Sequence, residues 1–321
     1  MKPWLSSLLL TLAASLAAPA SAADYPTQPV RIVVPFGPGG GTDLAARAIA
    51  EQLAPALGKP VVVENRPGGN SVIASRIVAT APADGHTLLL TTDIHAINAA
   101  YASQLPYDSI RDFAFVAQLT TSPLMLVAHP GAGIGSVADL VRRAKAEPGK
   151  LSFASLGPSS PHYLGFEWLE RLAGIDVVDV PYKGGGQALA DTLGGQVSLS
   201  LIVAGNGVRQ AKAGKLVAVA VTSPQRTSIA PDVPTIAESG YPEFAIVNWY
   251  GILAPAGTPP AIVERLNREI GRALREPAVI ERLAGAGLEA TTGSPADLEA
   301  LVRRDIDKYR RIIALTGAKP E

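Results

Sequence analysis

Apolar positions fall along this chain in short β-branched runs, each followed by a longer stretch with helical spacing. Val30–Val34 is the first such run, and it reads as a strand buried on both faces. Pro35 ends it, and a glycine-rich turn, Gly37 to Gly41, leads to Thr42 or Asp43 as the cap of a helix carrying Leu44, Ala48, Ile49 and Leu53. The pattern repeats with a strand at 60–65 and a helix at 71–80, then a strand at 87–91 and a helix at 95–102. Three βα units in succession imply a parallel sheet with helices on both faces, and loops gathered at the strands' C-terminal ends.

The rhythm then breaks. Two strands, 115–119 and 124–128, follow with only Thr120-Thr121-Ser122-Pro123 between them, a candidate crossover between domains. A helix at 137–146 precedes a second copy of the opening pattern: strand 151–154, turn 155–159, and helix 161–173. Ser160 before Pro161 supplies a side-chain acceptor at the N-cap and proline at the first helical position. A third copy has strand 177–180, loop 181–186 and helix 187–193. Strands at 197–203, 216–221 and 245–253 flank a helix at 207–213, and the tail is helical over 260–274, 277–284 and 295–315. In the last helix Leu298, Leu301, Val302, Ile306, Tyr309 and Ile313 form one apolar stripe that reads as core. The order predicts two α/β lobes, residues 23–120 plus 251–321 and residues 121–250, hinged near 119–123 and 245–253. A cleft between two lobes is the usual seat of a small ligand.

The opening strand, glycine turn and helix N-terminus present unpaired N–H groups and the positive end of a helix dipole, which suits a small anion. A phosphate-binding Walker loop would need Gly-Lys-Ser/Thr, and the lysine is missing; the dinucleotide fingerprint would need a third glycine where Thr42 stands. A tight βα turn whose glycines serve geometry alone remains open beside the anion reading.

Composition narrows the function. The 321 residues are 47% hydrophobic with a formal net charge of +0, ample for a large core and without the basic excess of a nucleic-acid partner. The absence of cysteine excludes disulfides and thiol chemistry. Lys2, the apolar stretch 5–18 and Ala20-Ser21-Ala22 form a cleavable export signal over residues 1–22, which points to a periplasmic protein. No two of the four histidines share helix spacing with an acidic partner, so neither a metal nor a cofactor is expected. His162 lies close to Ser159 and Ser160, yet no nucleophile elbow is present and a serine hydrolase is the weaker reading. His129 reads as structural and His86 as solvated in its turn. Lys183 is the one obvious cation in the loops, as a ligand contact or simply a solvated side chain.

Several motifs carry a family resemblance. They are Pro35-Phe36 with Gly39-Gly40-Gly41-Thr42-Asp43, Glu64-Asn65-Arg66-Pro67-Gly68, His95-Ala96-Ile97-Asn98, Leu105-Pro106-Tyr107-Asp108, Val180-Pro181-Tyr182-Lys183-Gly184, Leu193-Gly194-Gly195-Gln196-Val197 and Leu253-Ala254-Pro255-Ala256-Gly257-Thr258-Pro259. With these the chain resembles the Bug family, periplasmic substrate-binding proteins of tripartite tricarboxylate transporters. The resemblance implies a type II periplasmic-binding-protein fold closing on a small carboxylate with the help of ordered water. It implies that the loop with Phe36, Gly39, Gly40, Gly41, Thr42 and Asp43 grips the carboxylate from one lobe. The loop with Ser155, Gly157, Ser159, Ser160 and His162 grips it from the other, and Thr92, Tyr182 and Lys183 complete the expected site. The expected partners are a di- or tricarboxylate or an aromatic carboxylate, and, transiently, membrane transporter subunits; the protein itself is expected to be a monomer. Presentation of the ligand to a membrane sensor is the alternative role. Three departures from the family pattern bear on the ligand. Gly69-Asn70-Ser71-Val72-Ile73 stands where family members often carry a Gly-rich stretch with an Asn. Asp93, in a segment one residue shorter than usual, would repel an anion if it pointed inward. Ile202-Val203 replaces polar residues on the second-lobe wall, which favours an apolar-bodied ligand.

Overall fold

A computed structural model describes residues 25–101 and 105–320; the export signal expected at residues 1–22 lies outside the described residues. The first half supplies β1 (Val30–Val34), α1 (Gly41–Leu57), β2 (Val61–Asn65), α2 (Val72–Ala79), β3 (Thr87–Thr92), α3 (Ile94–Tyr101) and β4 (Phe113–Ala128). The middle supplies α4 (Val137–Ala146), β5 (Ser152–Ser155), α5 (Pro161–Ala173), β6 (Val178–Pro181), α6 (Gly185–Leu193), β7 (Leu199–Val203), α7 (Ala204–Lys212) and β8 (Val217–Val221). Then come β9 (Val247–Pro255), α8 (Pro260–Ala273), α9 (Pro277–Gly285), β10 (Glu289–Ala290) and α10 (Pro295–Thr316).

The strands form two sheets that share β4. In the first the order is β2-β1-β3-β9-β4, with β1, β2 and β3 parallel and β9 antiparallel to both its neighbours. In the second, β4 pairs antiparallel with β7 and β8, and β7-β5-β6 run parallel. Both sheets are therefore mixed where a parallel one was expected. A strand buried on both faces carries the same apolar run whichever way it points, so the direction of β9 has no signature in the sequence. β10, a two-residue strand against β4, was likewise not expected.

The expected crossover at 120–123 is not a link between two strands. β4 is one strand of 16 residues. Residues 113–123 pair with β9, and residues 124–128 with β7 and β8. Thr120 and Ser122 are buried, so the polar run that reads as a loop is interior strand. Pro123 stands where β4 changes partners, the place in a central strand where a missing N–H costs least. The helices α6 and α7 begin earlier than expected, at Gly185 and Ala204.

Alternation along β1 explains its continuous apolar run. Val30, Ile32 and Val34 enter the core under α1 and α8, whereas Val33 enters the core on the opposite face. That second core runs on from the first lobe into Phe153 and Phe166 of the other, with Leu298, Val302 and Tyr309 of α10 between them. Of the stripe expected on α10, Leu298, Val302, Ile306 and Tyr309 are core; Leu301 and Ile313 are only half-buried, and Ile312 is buried instead.

A cleft between two helix N-termini

A cavity of about 980 Å³ lies between the glycine loop and the loop preceding α5. Phe36, Gly40, Gly41 and Thr42 line it from one side and Gly157, Ser159, Ser160 and His162 from the other, with Thr92 and Lys183 also in its wall. Four residues of the expected site lie elsewhere: Gly39, Asp43, Ser155 and Tyr182 are not in the lining.

Asp43 explains the first of these differences. The helix begins at Gly41 with Gly40 as an N-cap that offers no side chain, so neither Thr42 nor Asp43 is the cap. Instead Asp43 reaches back from the first turn. Its Oδ2 accepts from Gly39 N–H at 3.0 Å and from Arg47 Nε at 2.9 Å, and its Oδ1 accepts from Asn65 Nδ2 at 3.0 Å. Asn65 also donates to the Phe36 carbonyl at 2.9 Å. The hydrogen bond from Arg47 is the chief cause that lowers the Asp43 carboxyl to about 2. This knot fastens the loop to the helix and consumes the Gly39 donor. The N–H groups of Gly40, Gly41 and Thr42 have no acceptor among the described residues and remain for a ligand. Gly41 is glycine for a steric reason: a Cβ there would lie 2.9 Å from the Tyr250 hydroxyl.

Ser160 is the N-cap of α5, as its sequence signals. Its Oγ accepts from Tyr163 N–H at 3.2 Å and donates to the Gly157 carbonyl at 2.7 Å. The hydroxyl proton is thus committed, and what Ser160 offers the cleft is a fixed helix start rather than a free donor. His162 supplies the next N–H, since Pro161 has none. Burial pushes the His162 imidazole down to about 4, so it is neutral, and its Nδ1 has no partner. Ser155 is fully buried at the end of β5. Tyr182 turns away and donates to Asp191 Oδ2 at 2.7 Å. Lys183 is exposed and is the only Lys or Arg lining the cavity among the described residues.

The cleft also contains groups that motif reading missed. Asn70 and Asn98 are paired, Asn70 Nδ2 to Asn98 Oδ1 at 3.1 Å and Asn98 Nδ2 to the Asn70 carbonyl at 2.8 Å. Asn70 also reaches the Ser159 carbonyl at 3.5 Å. Asn248 and Tyr250 project from β9, and the Asn248 Oδ1 is buried without a partner. Asn98 belongs to a motif used for the family resemblance, and polar residues in an otherwise apolar strand mark the other two.

Asp93 is part of the wall. It precedes α3, is 1% exposed, and its Oδ2 accepts from the Tyr309 hydroxyl at 3.1 Å. Burial, followed by the nearby Asp305 carboxylate, raises it to about 7. Thr92 serves the same turn, its Oγ1 accepting from Ile94 N–H at 3.2 Å. Val203 is in the lining, whereas Ile202 is buried in a separate core.

The remaining histidines are structural. His86, expected in solvent, accepts from Thr27 N–H at 3.2 Å and lies against Tyr25 with ring centroids 5.1 Å apart. His129 Nδ1 accepts from Gly131 N–H at 3.1 Å. Among the described residues no group of three His, Cys, Asp or Glu could hold a metal, and no helix is long and apolar enough to cross a membrane. A second hollow of about 630 Å³ lies between β4, β9 and α10. It contains neither glycine loop nor helix N-terminus, so the polar cleft is the candidate site.

Two sheets joined by a shared strand, with helix starts facing one cleft, define a two-lobe solute-binding receptor. The chain belongs to the tripartite tricarboxylate transporter receptor family, whose model matches residues 45–317. The family is one of periplasmic solute-binding receptors, not enzymes. Among relatives, the protein BugT of Bordetella pertussis is 37% identical over 308 residues, covering 95% of this chain and 94% of its own. The structure of Rpa4515 of R. palustris with adipate is 33% identical, covers 93% of this chain and 100% of its own, and superposes with a TM-score of 0.81. MatC of Rhodopseudomonas palustris, with bound malate, is 33% identical over 90% of this chain and 100% of its own, with a TM-score of 0.77.

Proposed function

We propose that this protein captures a small carboxylate in the periplasm and hands it to the membrane subunits of a tripartite tricarboxylate-type transporter. One observation carries the reading: the free N–H groups that begin α1 and the capped start of α5 line one cavity from opposite sheets. Neutral donors at two helix N-termini stabilise an anion without a formal counter-charge. Relatives with adipate and with malate support the ligand class.

In this reading the N–H groups of Gly40, Gly41 and Thr42, with the Thr42 hydroxyl, hold the carboxylate from the first lobe. Ser159 and His162 close on it from the second, through backbone donors and the neutral imidazole, and Ser160 contributes the fixed start of α5, its own N–H and O–H both bonded to the Gly157 carbonyl. Residues 23–120 plus 251–321 form one lobe and 121–250 the other, residues 1–22 direct export, and the receptor works as a monomer. Calorimetric titration with malate and adipate is the test. Saturable one-to-one binding, weakened about tenfold by Thr42→Val, is expected from the loss of one charge-assisted hydrogen bond. Absence of binding across a panel of mono-, di- and tricarboxylates would remove the proposal.

A further inference from the structure

We propose that Asp93 makes carboxylate capture proton-linked: the ligand's negative charge enters the cleft together with a proton that settles on Asp93. The inference rests on the carboxylate reading above and assigns the residue that selects how much charge this cleft accepts.

Asp93 is the only carboxylic acid lining the cavity among the described residues. It shares that wall with the first turn of α1, where the free N–H groups lie. Tyr250 connects the two places: its hydroxyl abuts Gly41, and the Asp93 charge, second to burial, raises its own titration to about 12. An anion seated on Gly41 and Thr42 therefore lies within electrostatic range of Asp93.

The surroundings of Asp93 supply little to hold its charge. From α10 the Tyr309 hydroxyl gives its one side-chain hydrogen bond, and the same helix turns Asp305 and Lys308 toward it. Lys308 is already committed to Asp305 at 2.8 Å, and the other Asp305 oxygen is held by Trp249 Nε1 at 2.7 Å. From β9 comes Tyr250, and its own segment adds only the backbone. A buried carboxylate facing a second carboxylate and two phenols is poised to take a proton, in keeping with a value raised to about 7. A ligand carboxylate adds one more negative charge and completes that step. The protonated Asp93 then has an O–H to donate, so the group that would repel the ligand becomes a possible donor to it.

Linkage fixes the sign. Free Asp93 titrates near 7, and the bound form titrates higher. Binding then takes up as much as one proton above about pH 7, and the association constant falls by up to tenfold per pH unit there. Titrations of the purified protein with malate and with adipate from about pH 6.5 to about 8.5, where both probes are chiefly dianions, read this directly. Two buffers of different ionisation enthalpy count the protons. Asp93→Asn is expected to flatten the profile and abolish proton uptake while binding remains tight at high pH. Tyr309→Phe, which removes the donor to the ionised form, is expected to move the break to higher pH. A flat wild-type profile without proton uptake overturns the proposal, as does an Asp93→Asn protein that keeps the slope. Absence of carboxylate binding at every pH defeats the carboxylate reading itself and this inference with it.

Discussion

The Tyr101 hydroxyl, at the end of α3, donates to the Pro158 carbonyl, in the loop before α5, at 2.7 Å. One strap therefore joins the loops of the two sheets across the mouth of the cleft. Asn70 and the Ser159 carbonyl add a longer contact beside it. Both acceptors are backbone carbonyls of the α5 loop, so the two contacts bear directly on the position of that helix start.

Removing the strap should favour the open form. Tyr101→Phe deletes the donor while keeping the ring, and a net loss of about 1 kcal/mol is expected for a partly buried hydrogen bond. Carboxylate affinity should fall about fivefold by calorimetry, and small-angle scattering should show a larger radius of gyration for the ligand-free variant than for wild type.

Gly41 and Tyr250 should behave as a coupled pair. A methyl group at Gly41 meets the Tyr250 hydroxyl at 2.9 Å, so Gly41→Ala must displace the tyrosine or the first turn of α1. A loss of about 1–3 kcal/mol of stability is expected from such overpacking. Tyr250→Phe removes the obstructing oxygen, and the double variant should recover most of the thermal stability lost by Gly41→Ala alone. Additive losses would contradict the contact.

Asp305 ties α10 to β9, accepting from Trp249 Nε1 and from Lys308. Asp305→Ala leaves an indole N–H and an ammonium group without their partner. About 3 kcal/mol should be lost in urea unfolding, and Asp305→Asn, which keeps an acceptor for Trp249, should lose less.

Buried histidine sets an acid limit on stability. His95 contacts the Ser109 carbonyl through Nε2 at 2.9 Å, and burial lowers it to about 4. An unfolded histidine titrates near 6.5. The unfolded chain thus binds the proton first, and the stability from neutral His95 is complete above about pH 6.5 and is lost as pH falls toward 4. Asp93, raised to about 7, acts in the opposite direction, losing stability as pH climbs from about 4 toward 7. The histidine contribution is therefore read as a difference. Relative to wild type, His95→Gln should lose less stability between pH 6.5 and 4 in denaturant titrations.

The elements were legible wherever local chemistry was unambiguous. The strand Val30–Val34 and the helices Val137–Ala146 and Pro161–Ala173 have the limits read from the sequence, because proline, N-cap serine and glycine mark them. β4 was not legible as one strand, since Thr120 to Pro123 looks like a turn until β9 is placed beside it. The two loops that line the cleft were found through their glycine, serine and proline pattern. Side-chain direction was not: Asp43, in the first turn of α1, and Tyr182, just after β6, bond to Arg47 and Asp191. Nor could spacing in the chain reveal Asn248 and Tyr250, which a distant strand brings to the same wall.

The place of β9 in the first sheet has a consequence for synthesis. It lies between β3 and β4 yet follows both by more than a hundred residues in the sequence. While the ribosome is still making the middle of the chain, the first sheet has an empty central slot and cannot close. Such late, long-range pairing slows folding, and a chain that folds late is one that a secretion channel can still thread.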